Sequence, residues 1–133
     1  MAIASEVALT SSICVQQQLH VVGDADRLYR LVANLIVNAI QYTPAGGKVT
    51  VILDCSHQEA IVQVQDTGIG MAAADLERIF DRFYRVNSDR SRNTGGSGLG
   101  LAIAQTIARA HRGSLSACSE LGQGATFLLR LPL

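Results

Sequence analysis

Residues 27–44, RLYRLVANLIVNAIQYTP, carry the pattern that decides the architecture. Leu28, Leu31, Leu35 and Ala39 recur at helical spacing on one face, while Arg27, Arg30, Asn34, Asn38 and Gln41 mark another. Asp24, just after Gly23, offers an aspartate N-cap for this helix. Thr43-Pro44 ends it, because the residue before a proline is pushed out of the helical region. The polar face is the unusual part. Asn34 and Asn38 lie one turn apart and point the same way, and Tyr42 continues their line by another turn. Such a stripe is read either as a solvated face with a capping tyrosine or as a surface for a ligand.

Working outward, residues 12–22 are rich in Val, Ile and Gln with partial alternation, which predicts two short strands. The preceding residues, 1–11, are small and featureless and are expected to be a linker remnant, so the domain is placed at 12–133. Downstream, 48–53 and 60–65 form a predicted hairpin around the polar turn at 56–59, with Val, Ile and Leu giving β character. Leu76, Ile79, Phe80 and Phe83 share a stripe and predict a short amphipathic helix over 74–83. Residues 87–98 hold almost nothing apolar and read as a mobile loop of the kind that acts as a lid. A third helix over 99–111 and strands over 114–119 and 125–131, parted by Gly122 and Gly124, complete the chain. Three helices and about six strands, without regular βαβ alternation, predict an α+β two-layer sandwich. The helices lie on one face of a mixed, largely antiparallel sheet.

The chain has 133 residues, enough for one domain and one core. Eleven basic and eleven acidic side chains, with no long run of one sign, argue against nucleic acid or an anionic membrane as partner. No apolar run approaches the roughly 20 residues that span a bilayer, and no signal-peptide pattern opens the chain. A cytoplasmic domain is expected, with any membrane anchor in a longer parent protein. Cys14, Cys55 and Cys118 fit neither a disulfide framework nor a zinc spacing and read as reduced thiols.

Three motifs carry the chemistry. Asn38 presents an amide oxygen, a hard ligand for Mg²⁺, an ion usually held by few protein ligands plus substrate phosphates; Asn34 would face the same phosphates. Asp66, directly after a β run, precedes Gly68 and Gly70, which allow close approach by a flat ligand; alone, this is also a common turn. In its functional form the carboxylate accepts from an exocyclic amine and selects adenine over guanine. Gly95, Gly96, Ser97, Gly98, Leu99, Gly100 and Leu101 run into a helix whose first N–H groups can receive phosphate oxygens. This is not a P-loop, since no Gly-Lys-Ser/Thr ends it, and its spacing does not fit a dinucleotide fingerprint.

With those residues in view the chain resembles the catalytic ATP-binding domains of sensor histidine kinases, within the superfamily of gyrase, Hsp90, histidine kinases and MutL. The stretch from Asn34 looks like the asparagine box, that from Asp66 to Gly70 like the first glycine box, Ile79 to Arg85 like the phenylalanine box, and Gly96 to Leu101 like the second glycine box. The resemblance implies a Bergerat fold in which Asn38 binds Mg²⁺, Tyr42 packs on the nucleotide, Asp66 reads the adenine amine and Arg85 reaches the terminal phosphates. It also implies that Thr126 supports Asp66. Gln41 stands where the family commonly has a basic residue beside the phosphates, and Arg82, Arg85, Arg90 or Arg92 could supply that charge.

Asn34 occupies the position where ATP-hydrolysing members of the superfamily carry a glutamate that activates water. The site is thus expected to hold ATP, hydrolyse it poorly and serve transfer to an external nucleophile. His20, His57 and His111 lack the family's acceptor-motif neighbours. The acceptor is therefore expected on a separate helical-hairpin dimerisation domain, in a homodimeric parent, with a response regulator downstream. This fragment alone would be monomeric. An anti-sigma-type serine kinase and a degenerate nucleotide-sensing module stand as alternatives.

Overall fold

The computed structural model describes residues 7–13, 21–56, 58–81 and 100–133. Strands β1 (Ala8–Ile13), β2 (Lys48–Cys55), β3 (Glu59–Asp66), β4 (Ser114–Ser119) and β5 (Ala125–Pro132) form one sheet in the order β1-β2-β3-β5-β4. The β1–β2 pair is parallel and every other pair antiparallel. Helices α1 (Ala25–Gln41), α2 (Ala73–Leu76) and α3 (Gly100–Ala110) complete the described residues. The result is an α+β sandwich with a mixed sheet.

Strand alternation explains the layering. On β5, Ala125, Phe127, Leu129 and Leu131 are buried while the residues between them are not, so one face of the sheet takes the helices. Val64 of β3 lies opposite both Val51 and Phe127 and is fully buried with Phe127, Leu129 and Val49. Leu31 and Leu35 of α1 fill the other side of this core, joined by Ala104, Ile107 and Ala108 of α3. Each large apolar side chain buried here contributes about 1.5–3 kcal/mol relative to exposure. The core therefore fixes both helices against the sheet.

The start of α1 follows the sequence expectation. The Asp24 carboxylate accepts from Arg27 N at 3.2 Å, satisfying one otherwise unpaired N–H. Asp24 also ties α1 to α3, because its own N–H donates to Nε2 of His111 at 3.0 Å while Nδ1 of His111 donates to the Ile107 carbonyl at 2.8 Å. An N–H can only donate and a carbonyl only accept, so these contacts select the neutral ring protonated on Nδ1. A Cβ on Gly23 would overlap the His111 ring, so the close approach needs glycine there.

Two boundaries differ from the sequence reading. The sheet begins at Ala8, inside the stretch expected to be linker, with Val7 buried and Ala8 N donating to the Gly47 carbonyl at 3.1 Å. Only Ser12 and Ile13 of the predicted strand pair over 12–22 lie in β1, and residues 14–20 fall outside the described residues. The helix expected over 74–83 is a short α2 followed by turns in which Arg78 N bonds Asp75 O and Asp81 N bonds Arg78 O. Such three-residue spacing tightens the backbone, and it still buries Ile79 and sets Phe80 edge-on to Phe127 at 6.3 Å. The loop predicted over 87–98 lies outside the described residues.

Candidate nucleotide site

Asp66 is the last residue of β3, opposite Val49 on one side and Ala125 on the other. Its Oδ1 accepts from Gly68 N at 2.8 Å and from Ala125 N at 3.2 Å. Among the described residues Oδ2 has no hydrogen-bond partner, which leaves that oxygen for a ligand donor. Burial pushes the carboxyl above its ordinary value, and the hydrogen bonds from Gly68 and Ala125 pull it partly back. A half-buried carboxylate, fixed by main-chain donors through one oxygen, suits recognition of a neutral N–H donor.

The loop after Asp66 is clamped from several sides. Thr67 N donates to Lys48 O at 3.1 Å, and Lys48 N donates back to Thr67 Oγ1 at 2.9 Å. Ile69 N donates to the Tyr42 carbonyl at 3.3 Å, bringing the loop onto the end of α1. Any side chain on Gly68 would overlap that same carbonyl, so the contact excludes a Cβ. On the other side, Gly122 N donates to Ile69 O at 2.8 Å. Gly70 has φ 71° and abuts the Glu120 carbonyl, and Gly124 has φ 76° and abuts the Asp66 carbonyl. Both positions combine a left-handed backbone with no room for a side chain.

Along α1, Asn34, Asn38 and Gln41 are half-buried, and Tyr42 follows as the C-cap with its N–H on Asn38 O. Thr43, buried beside it, donates its hydroxyl to Ala39 O at 2.7 Å and holds the helix end. Asn34 Nδ2 reaches the carbonyl of Gly100, the first residue of α3, at 3.4 Å. That contact sets the start of α3 against the asparagine face. Leu101 packs its side chain on the core, while Gly100 is exposed. Asn38 offers a neutral amide oxygen and, among the described residues, has no side-chain hydrogen bond. That donor chemistry fits one ligand of an oxygen-coordinated Mg²⁺ whose remaining ligands are phosphates and water.

Of the residues expected at the site, the structure joins Asp66 and Gly68 with the Tyr42 main chain, sets Gly70 against Glu120, and joins Asn34 with Gly100. Thr126 requires a correction. Ala125, not Thr126, stands opposite Asp66; Thr126 pairs with Gln65, and alternation turns its side chain to the sheet face away from the helices. The support expected from a Thr126 hydroxyl comes instead from the Ala125 N–H. Arg85, Gly96, Ser97, Gly98 and Leu99 lie outside the described residues. The sequence reading missed Thr67, Ser119 and the Gly124–Ala125 peptide, for which the paired glycines at 122 and 124 are the visible signal.

Similarity to known proteins agrees with this geometry. Residues 23–133 match the family described as histidine kinase-, DNA gyrase B-, and HSP90-like ATPase. The chain is 55% identical over 133 residues to the sensor histidine kinase RppB of Synechocystis sp., covering all of this chain and 29% of that protein. The chain thus spans less than a third of that relative. Among solved structures, the mycobacterial sensor histidine kinase MprB superposes with a TM-score of 0.83 at 30% identity, over 96% of this chain and 84% of that one. Full-length ShkA in complex with AMPPNP gives a TM-score of 0.83 at 30% identity over 98% of this chain and 26% of that one. With its sheet order, its asparagine-bearing helix and its clamped Asp66 loop, the chain belongs to the histidine kinase-, DNA gyrase B- and HSP90-like ATPases, on the side of the sensor histidine kinases.

Proposed function

We propose that this domain binds Mg·ATP and passes the γ-phosphoryl group to a histidine on a separate helical-hairpin domain of its parent kinase, which then serves a response regulator. The observation that carries the reading is the Asp66 carboxylate, held through Oδ1 by two main-chain N–H groups at the head of a clamped loop and, among the described residues, open at Oδ2. Oδ2 accepts the adenine amine, and guanine would set a carbonyl against it, leaving a buried acceptor unpaired at a cost of about 1–3 kcal/mol. Tyr42 packs on the nucleotide.

Asn38, with Asn34 and Gln41 beside it, faces the phosphates. Asn38 would hold Mg²⁺ through its amide oxygen, and the ion would supply positive charge to offset that of the phosphates. The N–H groups at the start of α3, with the preceding residues Gly96, Ser97, Gly98 and Leu99, receive the phosphates, and Arg85 meets the terminal one. The acceptor imidazole nitrogen attacks the γ-phosphorus, the bond to the β–γ bridging oxygen breaks, and ADP leaves. With an amide at Asn34 in place of a carboxylate base, water is a poor competitor.

The test is to supply γ-labelled ATP to this chain with and without the cognate hairpin domain. Acid-labile label on the hairpin histidine and none on this chain is expected. Binding without transfer at high hairpin concentration would favour the nucleotide-sensing alternative, and label on His20, His57 or His111 would overturn the separate-acceptor reading.

A further inference from the structure

Ser119, the last residue of β4, makes two hydrogen bonds that together reach the site. Its Oγ accepts from Met71 N at 2.8 Å and donates to the Gly124 carbonyl at 2.6 Å. The Gly124 carbonyl and the Ala125 N–H belong to one peptide unit, and that N–H donates to Asp66 Oδ1 at 3.2 Å. Four groups thus form a single directed chain, from Met71 N–H through the Ser119 hydroxyl and the 124–125 peptide to the carboxylate. The other arm of the carboxylate's support, Gly68 N–H, lies in the same loop that Met71 closes. We propose that Ser119 is a positioning residue for base recognition, its hydroxyl fixing the 124–125 peptide and the end of the Asp66 loop so that Oδ2 faces the ligand.

The physical basis is that one hydroxyl satisfies two main-chain groups at once. Donation to the Gly124 carbonyl polarises its peptide and strengthens the Ala125 N–H as a donor. Acceptance from Met71 N holds the far end of the loop at a point where Met71 itself is buried. The left-handed Gly124 leaves the peptide free of steric guidance from a side chain, so its orientation depends on such hydrogen bonds. Serine contacts no nucleotide in this scheme; it acts through Ala125 and Met71.

The inference rests on the nucleotide reading above, and the experiment separates the two. Wild type, Ser119→Ala and Ser119→Thr would be compared by calorimetric titration with ADP and with GDP, and by carboxyl-carbon magnetic resonance of Asp66 without nucleotide. We expect Ser119→Ala to bind ADP about fivefold to tenfold more weakly, to discriminate less against GDP, and to shift the Asp66 titration upward. Ser119→Thr, which keeps the hydroxyl, should restore all three. If Ser119→Ala does not fold, Ser119→Cys, with a weaker hydrogen-bonding group of similar shape, should show the same losses in smaller measure. A folded Ser119→Ala or Ser119→Cys variant with wild-type ADP affinity and an unmoved Asp66 titration overturns the Ser119 role while leaving the nucleotide reading intact. A wild type that binds no adenine nucleotide overturns that reading itself, and the base-positioning role with it.

Discussion

Around Asp66, main-chain N–H and carbonyl groups from α1, β2 and the β4–β5 turn close on one short loop, whereas along α1 the Asn34 and Asn38 amides make, among the described residues, a single long contact to α3. The Asp66 side, proposed to read the base, owes its shape to backbone geometry built by the fold itself. The asparagine side, proposed to meet the phosphates, presents side chains on a helix whose other face is locked in the core. Changes to the first should therefore cost stability and binding together. Changes to the second should cost binding with little change in stability.

The sharpest test of that contrast is Gly70→Ala or Gly124→Ala. A Cβ at either position meets a carbonyl, and φ stays in the left-handed region, so a loss of roughly 2–4 kcal/mol in unfolding free energy is expected, with nucleotide binding lost. Chemical denaturation checks it, and a midpoint equal to wild type would break the comparison. Next in size, Asp66→Ala should weaken ATP binding by about 1.5–3 kcal/mol, the range for a hydrogen bond to a charged group, as read by calorimetry.

Asp66 also gives the contrast a pH signature. Its folded-state carboxyl is raised by burial, so between the ordinary carboxylate value and the raised one the folded protein holds more protons than the unfolded chain. Stability from this group is present at low pH and lost as pH rises through that window. ATP affinity runs the other way, falling on acidification as the acceptor is protonated. Asp66→Asn should flatten both profiles, by denaturation and by titration respectively.

On the phosphate side, Asn38→Ala should abolish the Mg²⁺ dependence of ATP affinity while leaving unfolding free energy within about 0.5 kcal/mol, alanine being the better helix former. The smallest effect is expected of Asn34→Ala, whose 3.4 Å contact to Gly100 is long and solvent-exposed, so that about 0.5 kcal/mol or less of stability is lost. Unfolding of either variant at ordinary temperature would erase the distinction between the two sides.

What could be read in the sequence follows the same division. The α1 stripe, the β2–β3 hairpin and the asparagine pair announce themselves because periodicity and residue type are local properties. β1 does not, since Ala8 to Ser12 has little β character of its own and is held by parallel pairing to β2, forty positions on. Thr126 lies one register step from the partner of Asp66, and a single step moves a side chain through the sheet, a distinction that residue type alone does not carry. Ser119 was invisible because a serine at a strand end has no pattern, and its role depends on a peptide five residues later in the turn.

The meeting of Gly23 with His111 bears on how this sequence can vary. Because the His111 ring occupies the space a Cβ at position 23 would take and also receives the Asp24 N–H, the two sites cannot drift independently. A larger residue at position 23 demands a smaller one at 111, and losing the imidazole removes the protein partner of the Asp24 N–H. Across related chains these positions, 88 apart in sequence, should change as a pair or stay fixed together.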